Sequence, residues 1–309
     1  MFPLKYPVPQ TEPPRSPKET LPTMYDLPSE NAEEPGLPDE FHGLQPQLLS
    51  YTFRPSRYSA SQIFSGADMN LYYDSRHPLW YKRPDWFGVV GVSRLYAEVE
   101  MRLSYVTWQE GVNPFVIVEL LSPGTEKEDL RDDDQETLPS ASEQIAGNGN
   151  INHEQMKEKP LRKWEVYEQV LRIPYYVVFS RYTNRVRAFK LDGARYEELE
   201  LSDSRLWMPE IDLGLGLWHG DYLGVDRLWL RWYDSEGNWI PTPEERAEQA
   251  QERAEQAQER AEQAQERSEQ AQERAEQERQ RAETAETRLA SLMQRLRESG
   301  IDPDRFLNG

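Results

Sequence analysis

RPDWFGVVGV at residues 83–92 and PFVIVELLS at residues 114–122 are the two stretches that decide the fold of this chain. Both are short apolar runs bounded by Pro, Gly or Ser, and this pattern predicts buried β-strands. Asp85 directly precedes the first run and Glu119 lies inside the second. A buried carboxylate is costly unless it is paired or binds a metal. Two such carboxylates on adjacent strands therefore predict a site for a hard divalent cation, which prefers oxygen ligands.

Each carboxylate has a simpler interpretation when it is considered alone. A single acid at the end of a strand is usually a solvated residue or a turn former. The combination of Pro-Asp before one strand with Val-Glu inside the next is what indicates a functional site.

Three phrases carry a resemblance to a known family: residues 83–92, WQEGVNPFVIVELLSPGTEKEDL at 108–130 and KWEVYEQVLRIPYYVVF at 163–179. They resemble the Uma2 endonuclease family over residues 49–241, and its PD-(D/E)XK nuclease core. The resemblance implies an α/β fold with a restriction-endonuclease-like mixed sheet flanked by helices. It also implies a Mg²⁺- or Mn²⁺-dependent endonuclease that hydrolyses phosphodiester bonds of nucleic acid, with DNA as the expected substrate.

The same resemblance assigns the metal site. Asp85 and Glu119 would bind the cation, and the backbone carbonyl of Leu120 would add a third ligand. In the nuclease core a lysine normally lies two residues after the glutamate, but that position is Leu121 here. This chain departs from the core pattern at that position.

Relatives in the family carry the lysine on the following helix, four residues before a tyrosine, which matches Lys163 and Tyr167. One helical turn places these two side chains on the same face. Lys163 would then orient the water or stabilise charge that develops on the phosphate. Without the resemblance, the sequence predicts that Lys163 is an ordinary exposed lysine on a helix. Two further departures are Tyr175 and Ser180, where many relatives have Glu and Asp.

The charge of the chain favours an alternative function. The formal net charge is −19, whereas proteins that bind nucleic acid usually present a basic surface. Any such surface must therefore be a local patch. The alternative is a non-catalytic interaction or scaffold protein that keeps a nuclease-like head and uses a coiled-coil arm.

Other chemistries are poorly supported by the residues. The chain has no Cys and only four His, without an HExxH pattern, and no phosphate-binding glycine loop is visible. No apolar run approaches the ~20 residues that span a bilayer, so we expect no membrane association. The N-terminus lacks the apolar region of a signal peptide, and the expected location is cytoplasmic.

Composition divides the chain into segments. Residues 1–45 are Pro-rich and predict a disordered arm, residues 46–241 form the restriction-endonuclease-like domain, and 131–158 form a flexible acidic insertion. Inside the domain, we predict a short helix over 59–67, a strand over 96–109 and an amphipathic helix over 161–171.

A long helix is predicted over 242–299, followed by a C-terminal tail at 300–309. The helix begins with the capping signal Thr-Pro-Glu-Glu at 242–245 and continues as AEQAQER heptads with alanine at a and d. Leucine enters the seam only at Leu289, Leu292 and Leu296. Homo-oligomerisation through this helix and a solvated single rod are both compatible with the pattern.

Overall fold

The structure is a computed structural model that describes residues 11–16, 39–121, 129–130 and 160–300. The chain divides into two units, Met1–Thr242 and Pro243–Gly309. The predicted acidic insertion at 131–158 lies outside the described residues. The same holds for most of the predicted N-terminal arm and for the tail after residue 300.

The first unit contains three helices and twelve strands among the described residues. In chain order they are α1 (Glu40–Thr52), β1 (Ile63–Ala67), β2 (Leu71–Tyr72), β3 (Tyr81–Lys82), β4 (Trp86–Val90), β5 (Tyr105–Val106), α2 (Thr107–Glu110), β6 (Val116–Leu120), α3 (Lys163–Glu165, continued as a π-helix over Val166–Val170), β7 (Tyr175–Ser180), β8 (Arg185–Asp192), β9 (Arg195–Glu198), β10 (Arg205–Met208), β11 (Leu213–Tyr222) and β12 (Val225–Tyr233).

A six-stranded mixed sheet with the order β1-β4-β6-β7-β8-β9 forms the centre of this unit. The β6 and β7 strands are parallel, and every other neighbouring pair is antiparallel. All residues of β4, β6 and β7 are buried, as their continuous apolar sequences predict. The predicted restriction-endonuclease-like mixed sheet flanked by helices is confirmed.

Two smaller sheets accompany the central one. The first, β10-β11-β12, is antiparallel, and the second has the order β3-β2-β5. An apolar cluster on one face of the central sheet joins it to α1 and to β10–β12. A second cluster on the opposite face joins it to α3. The central strands therefore hold two different sets of packing partners, one on each side.

Helix α1 begins at Glu40, inside the range 1–45 that was predicted to be a disordered arm. Asp39 is its N-cap and accepts a hydrogen bond from the His42 backbone N–H at 3.0 Å, which satisfies a free amide of the first turn. Phe41, on the same turn, packs in the core. The proline-rich composition before the helix gave no indication that α1 begins inside this range. The helix forms because its apolar side chains pack against the sheet.

The buried Gln45 shows how α1 attaches to β12. Its side-chain amide donates to the Leu230 carbonyl and accepts from the Leu230 backbone N–H, each at 2.8 Å. A buried amide with both functions satisfied costs little. This pair of bonds fixes the first turns of α1, and therefore Asp39 and His42, against the fold.

The predicted helix over residues 59–67 is wrong. Only Ala60–Gln62 forms a short 3₁₀ turn, and Ile63–Ala67 is strand β1, paired antiparallel to β4. The pairing buries Ile63 and Phe64. Tertiary burial therefore overrides the local helical pattern.

The predicted strand over 96–109 is wrong over most of its length, because only Tyr105–Val106, toward its C-terminal end, is a strand and Thr107–Glu110 is helical. Met101 and Leu103, the apolar positions of the apparent alternation, are 76% and 98% exposed. Three residues of this segment are buried: Tyr105, Thr107 and Arg102, the last of which is held by an ion pair with Glu110. The alternation therefore describes a buried face only at the end of the segment, around the short strand.

The second unit contains one helix, α4 (Pro243–Glu298), which confirms the predicted long helix. None of its residues is buried. Gln–Glu hydrogen bonds of 2.9–3.0 Å recur at i,i+4 once in each early heptad, at Gln251, Gln258 and Gln265. Gly300 adopts φ +78° just after the helix, the left-handed conformation that commonly ends helices. No helix in the described part of the chain is long and apolar enough to cross a membrane.

Candidate active site

Alternation along β6 decides the direction in which Glu119 points. Val118 and Leu120 belong to the apolar cluster of α1, whereas Ile117 and Leu121 belong to the cluster of α3. Because successive side chains of a strand point to opposite faces, Glu119 shares the face of Ile117 and Leu121. Its side chain is fully buried there, so its carboxylate requires polar partners from the same side of the sheet.

Asp85 lies opposite Glu119, one residue before β4. Trp86 pairs with Val118 in the antiparallel register, and one further step sets Asp85 against Glu119. The Asp85 backbone N–H donates to Glu119 Oε2 at 3.2 Å, and the Leu120 backbone N–H donates to Asp85 Oδ2 at 2.6 Å. These bonds hold both carboxylates at one end of the strand pair, with Asp85 only half-buried.

Lys163 joins this pair from α3, across 44 residues of sequence. Its Nζ donates to Glu119 Oε2 at 3.0 Å and lies 3.1 Å from Asp129 Oδ1. The second contact is an ion pair without hydrogen-bond geometry, because Asp129 Oδ1 is buried and has no hydrogen-bond partner. Two carboxylates therefore contact one ammonium group, and Asp85 is hydrogen-bonded to the first of them.

The start of α3 is fixed by packing. Trp164 lies edge-to-face against Phe189 and Tyr196, with ring centroids 4.9 and 5.3 Å apart. The Arg162 backbone N–H donates to Glu165 Oε2 at 2.9 Å and caps the turn. Lys163 is thus presented by a rigid backbone, which favours a defined position for its ammonium group.

Tyr167, one helical turn after Lys163, completes the contacts of Glu119. Its buried hydroxyl donates to Glu119 Oε1 at 2.9 Å. Both Glu119 oxygens consequently accept hydrogen bonds from protein groups, Oε1 from Tyr167 and Oε2 from Lys163 and Asp85. The carboxylate is held in one orientation.

The cluster has an excess of negative charge. Burial raises the pKa of Glu119 well above its usual range; the Lys163 ammonium opposes the rise, and Asp129 and Asp85 add to it. Burial also raises the pKa of Asp85, again against the effect of Lys163. The pKa of Lys163 is lowered by burial but raised more strongly by the three carboxylates. One ammonium faces three carboxyl groups, so further positive charge at this position would stabilise their ionised forms.

The Leu120 carbonyl is in contact with His42. The imidazole Nε2 lies 3.2 Å from the Leu120 oxygen, and Nδ1 lies 2.8 Å from Asp39 Oδ1. Since a carbonyl and a carboxylate only accept hydrogen bonds, both contacts are satisfied together when both ring nitrogens carry protons. The carbonyl has a second lone pair that remains for another partner.

The donor set fits a hard divalent cation with few protein ligands. Carboxylate and carbonyl oxygens are the ligands that Mg²⁺ prefers, and Mg²⁺ is usually held by one or two carboxylates together with substrate phosphates and water. In the described residues no group of three or more His, Asp or Glu side chains forms a complete metal-binding set. Asp85, Glu119 and the Leu120 carbonyl supply oxygen donors of the kind that a hard divalent cation takes.

The structure brings the three sequence-predicted catalytic residues, Asp85, Glu119 and Lys163, into one contiguous cluster. Leu121, at the usual lysine position, is instead buried in the apolar cluster of α3. Tyr175 lies near the opposite end of β7, where its hydroxyl donates to Glu210 at 2.8 Å. The departure from the family phrase at Tyr175 is therefore remote from the cluster. The departure at Ser180 is closer, because Ser180 ends β7 at the same end of the β6–β7 pair as Leu120.

Sequence reasoning missed Asp129, His42 and Asp39. Asp129 had no predicted role, although the apolar Leu130 beside it was a signal of local packing. Asp39 and His42 were assigned to the arm, and their i,i+3 spacing at a helix start was the available signal.

A mixed sheet with two carboxylates and a helix-borne lysine at one edge defines a restriction-endonuclease-like protein. The Uma2 family, described as a putative restriction endonuclease, has a family model that matches residues 15–226 of this chain. The match covers more than half of the chain, and the protein belongs to the Uma2 family. Restriction-endonuclease-like enzymes generally use divalent metal ions. No curated protein matches this chain.

Proposed function

We propose that this protein is a metal-dependent endonuclease that hydrolyses phosphodiester bonds of DNA in the cytoplasm, with Mg²⁺ or Mn²⁺ as its cofactor. The observation that carries the proposal is the 3.0 Å contact between Lys163 Nζ and Glu119 Oε2, on the oxygen that also accepts from the Asp85 N–H. A carboxylate pair can hold a catalytic cation, and an ammonium beside it can stabilise charge that develops on a phosphate.

Each residue has a separate task in this proposal. Asp85, Glu119 and the Leu120 carbonyl hold the cation, which when bound supplies Lewis-acid chemistry at the phosphodiester. Lys163 orients the attacking water or stabilises negative charge that develops on the phosphate oxygens. Tyr167 and Asp129 are positioning residues, because they touch Glu119 and Lys163 rather than the substrate.

The direct test is cleavage of supercoiled plasmid DNA with Mg²⁺ or Mn²⁺. Asp85→Asn and Glu119→Gln should reduce cleavage to background, and Lys163→Met should reduce the rate about 100-fold or more, since it removes a charge aimed at the transition state. Glu210→Gln is the matched control, because its carboxylate contacts Tyr175 and Lys190 near the other end of the sheet. Equal cleavage by the wild type and Glu119→Gln would mean that the activity belongs to a contaminant.

A second candidate function is a non-catalytic scaffold that associates through α4. The supporting observation is that Leu289 and Leu292, two of the large apolar side chains near the end of this helix, are 51% and 56% exposed. Sedimentation of the full chain tests it. Self-association that disappears in Leu289→Ala/Leu292→Ala supports homo-oligomerisation through the helix, whereas a monomer at all concentrations contradicts it.

A further inference from the structure

Two arginine side chains lie against one aromatic ring of α1. Arg181 directly follows β7, and Arg227 lies on β12. Their guanidinium carbons are 5.4 and 4.5 Å from the centroid of the Phe41 ring. Phe41 is buried, so it fixes the positions of two cationic groups that remain partly exposed.

The two arginines differ in their ion pairing. Asp39 pairs with Arg181 and also contacts His42. Within the described residues, Arg227 has no ion-pair or hydrogen-bond partner, and its buried Nε faces no acceptor. Burial lowers the pKa of Arg227, the nearby charge of Arg181 lowers it further, and Asp39 opposes the shift. A buried donor without an acceptor is costly, so the position favours an anion.

A chain of hydrogen bonds connects these cations to the carboxylate cluster. Asp39 contacts His42, whose Nε2 contacts the Leu120 carbonyl, and the Leu120 N–H donates to Asp85. Arg181 and Leu120 also lie at the same end of the parallel pair β6–β7, because Leu120 pairs with Phe179. The two groups of charge are thus neighbours at one sheet edge.

We propose that Arg181 and Arg227 form a binding subsite for a backbone phosphate of the nucleic acid, next to the phosphate that is cleaved. The inference rests on the proposed nuclease function and extends it to substrate binding. Guanidinium groups match phosphate oxygens with paired hydrogen bonds, and rigid arginines lose little entropy when they bind. Such a subsite is the local basic patch that a chain of net charge −19 requires.

The test is binding of a short fluorescein-labelled DNA duplex to the full-length protein, measured by fluorescence anisotropy over a series of salt concentrations. Ca²⁺ is present to offset the carboxylate charge, and a gel verifies that the duplex stays intact. Arg181→Gln and Arg227→Gln should each weaken binding severalfold. Each should also reduce the slope of log affinity against log salt by about 0.9, the value for one lost phosphate contact.

Arg195→Gln is the matched control, because it removes the same charge from an exposed residue beyond the opposite end of β8 and should change neither quantity. Arg181→Lys and Arg227→Lys keep the charge and should retain the salt slope, which separates loss of a contact from loss of folding. Wild-type salt slopes in both glutamine variants, or no binding by the wild type, would overturn the subsite. Binding that follows the prediction without any cleavage would support the subsite and contradict the proposed catalysis.

Discussion

Tyr167 provides a test of how strongly the Glu119 carboxylate is held. The Tyr167→Phe change removes a hydroxyl that donates to Glu119 Oε1 at 2.9 Å inside the core. The buried carboxylate oxygen then loses its hydrogen-bond donor, and we expect a loss of about 1–3 kcal/mol in the free energy of unfolding. Urea denaturation followed by tryptophan fluorescence measures it.

Tyr96→Phe is the control for that measurement. The Tyr96 hydroxyl also donates to one side chain, Gln109, at 2.9 Å, but on the surface. Its loss should stay within about 0.5 kcal/mol, as is usual for surface substitutions. Similar losses in the two variants would contradict a special role for the Tyr167 hydroxyl.

At the scale of elements, the irregular segment between β4 and β5 is held by a single buried ion pair. Arg102 and Glu110 form two hydrogen bonds of 2.8 Å, and Arg102 also donates to the carbonyls of Ser93 and Arg94. Arg102→Met leaves the buried Glu110 carboxylate unpaired and removes the donors to two backbone carbonyls. We expect a loss of about 3–5 kcal/mol in unfolding free energy, as for other broken buried pairs.

The exposed pair Arg83–Asp68 is the comparison, because both side chains are about half exposed. Arg83→Met should cost less than about 1 kcal/mol, since solvent screens such pairs. Denaturant midpoints of the two methionine variants give the difference directly, and equal midpoints would show that Arg102 does not stabilise the segment.

The elements that the sequence predicted well are those whose burial is decided locally. The strands of Asp85 and Glu119 are continuous apolar runs, and their adjacency follows from chain order. The role of Lys163 was predicted only from the family resemblance. Apolar periodicity shows which face of a helix is buried, but it does not show which distant residue that face contacts. Asp129 and His42 carried only weak local signals, since each lies beside polar or proline-rich sequence and its place in the cluster depends on contacts with remote parts of the chain.

At the scale of the whole molecule, the two units should unfold independently. All nine tryptophans lie before Thr242, so tryptophan fluorescence reports the first unit and far-UV circular dichroism reports mostly α4. No α4 residue is buried. A chain that ends at Thr242 should therefore keep the fluorescence midpoint of the full chain. The free energy of unfolding obtained from that transition should agree within about 0.5 kcal/mol. A clear shift of that midpoint would mean that α4 stabilises the first unit.

The side-to-side alternation of β6 also limits how this protein can change during evolution. Replacement of one aliphatic residue by another in Val116–Val118 keeps every side chain on its face. Deletion or insertion of one residue in that strand would turn Glu119 toward the α1 side and away from Lys163. Homologues with an active site should therefore vary in length within their surface loops, while the spacing between Phe115 and Glu119 stays constant.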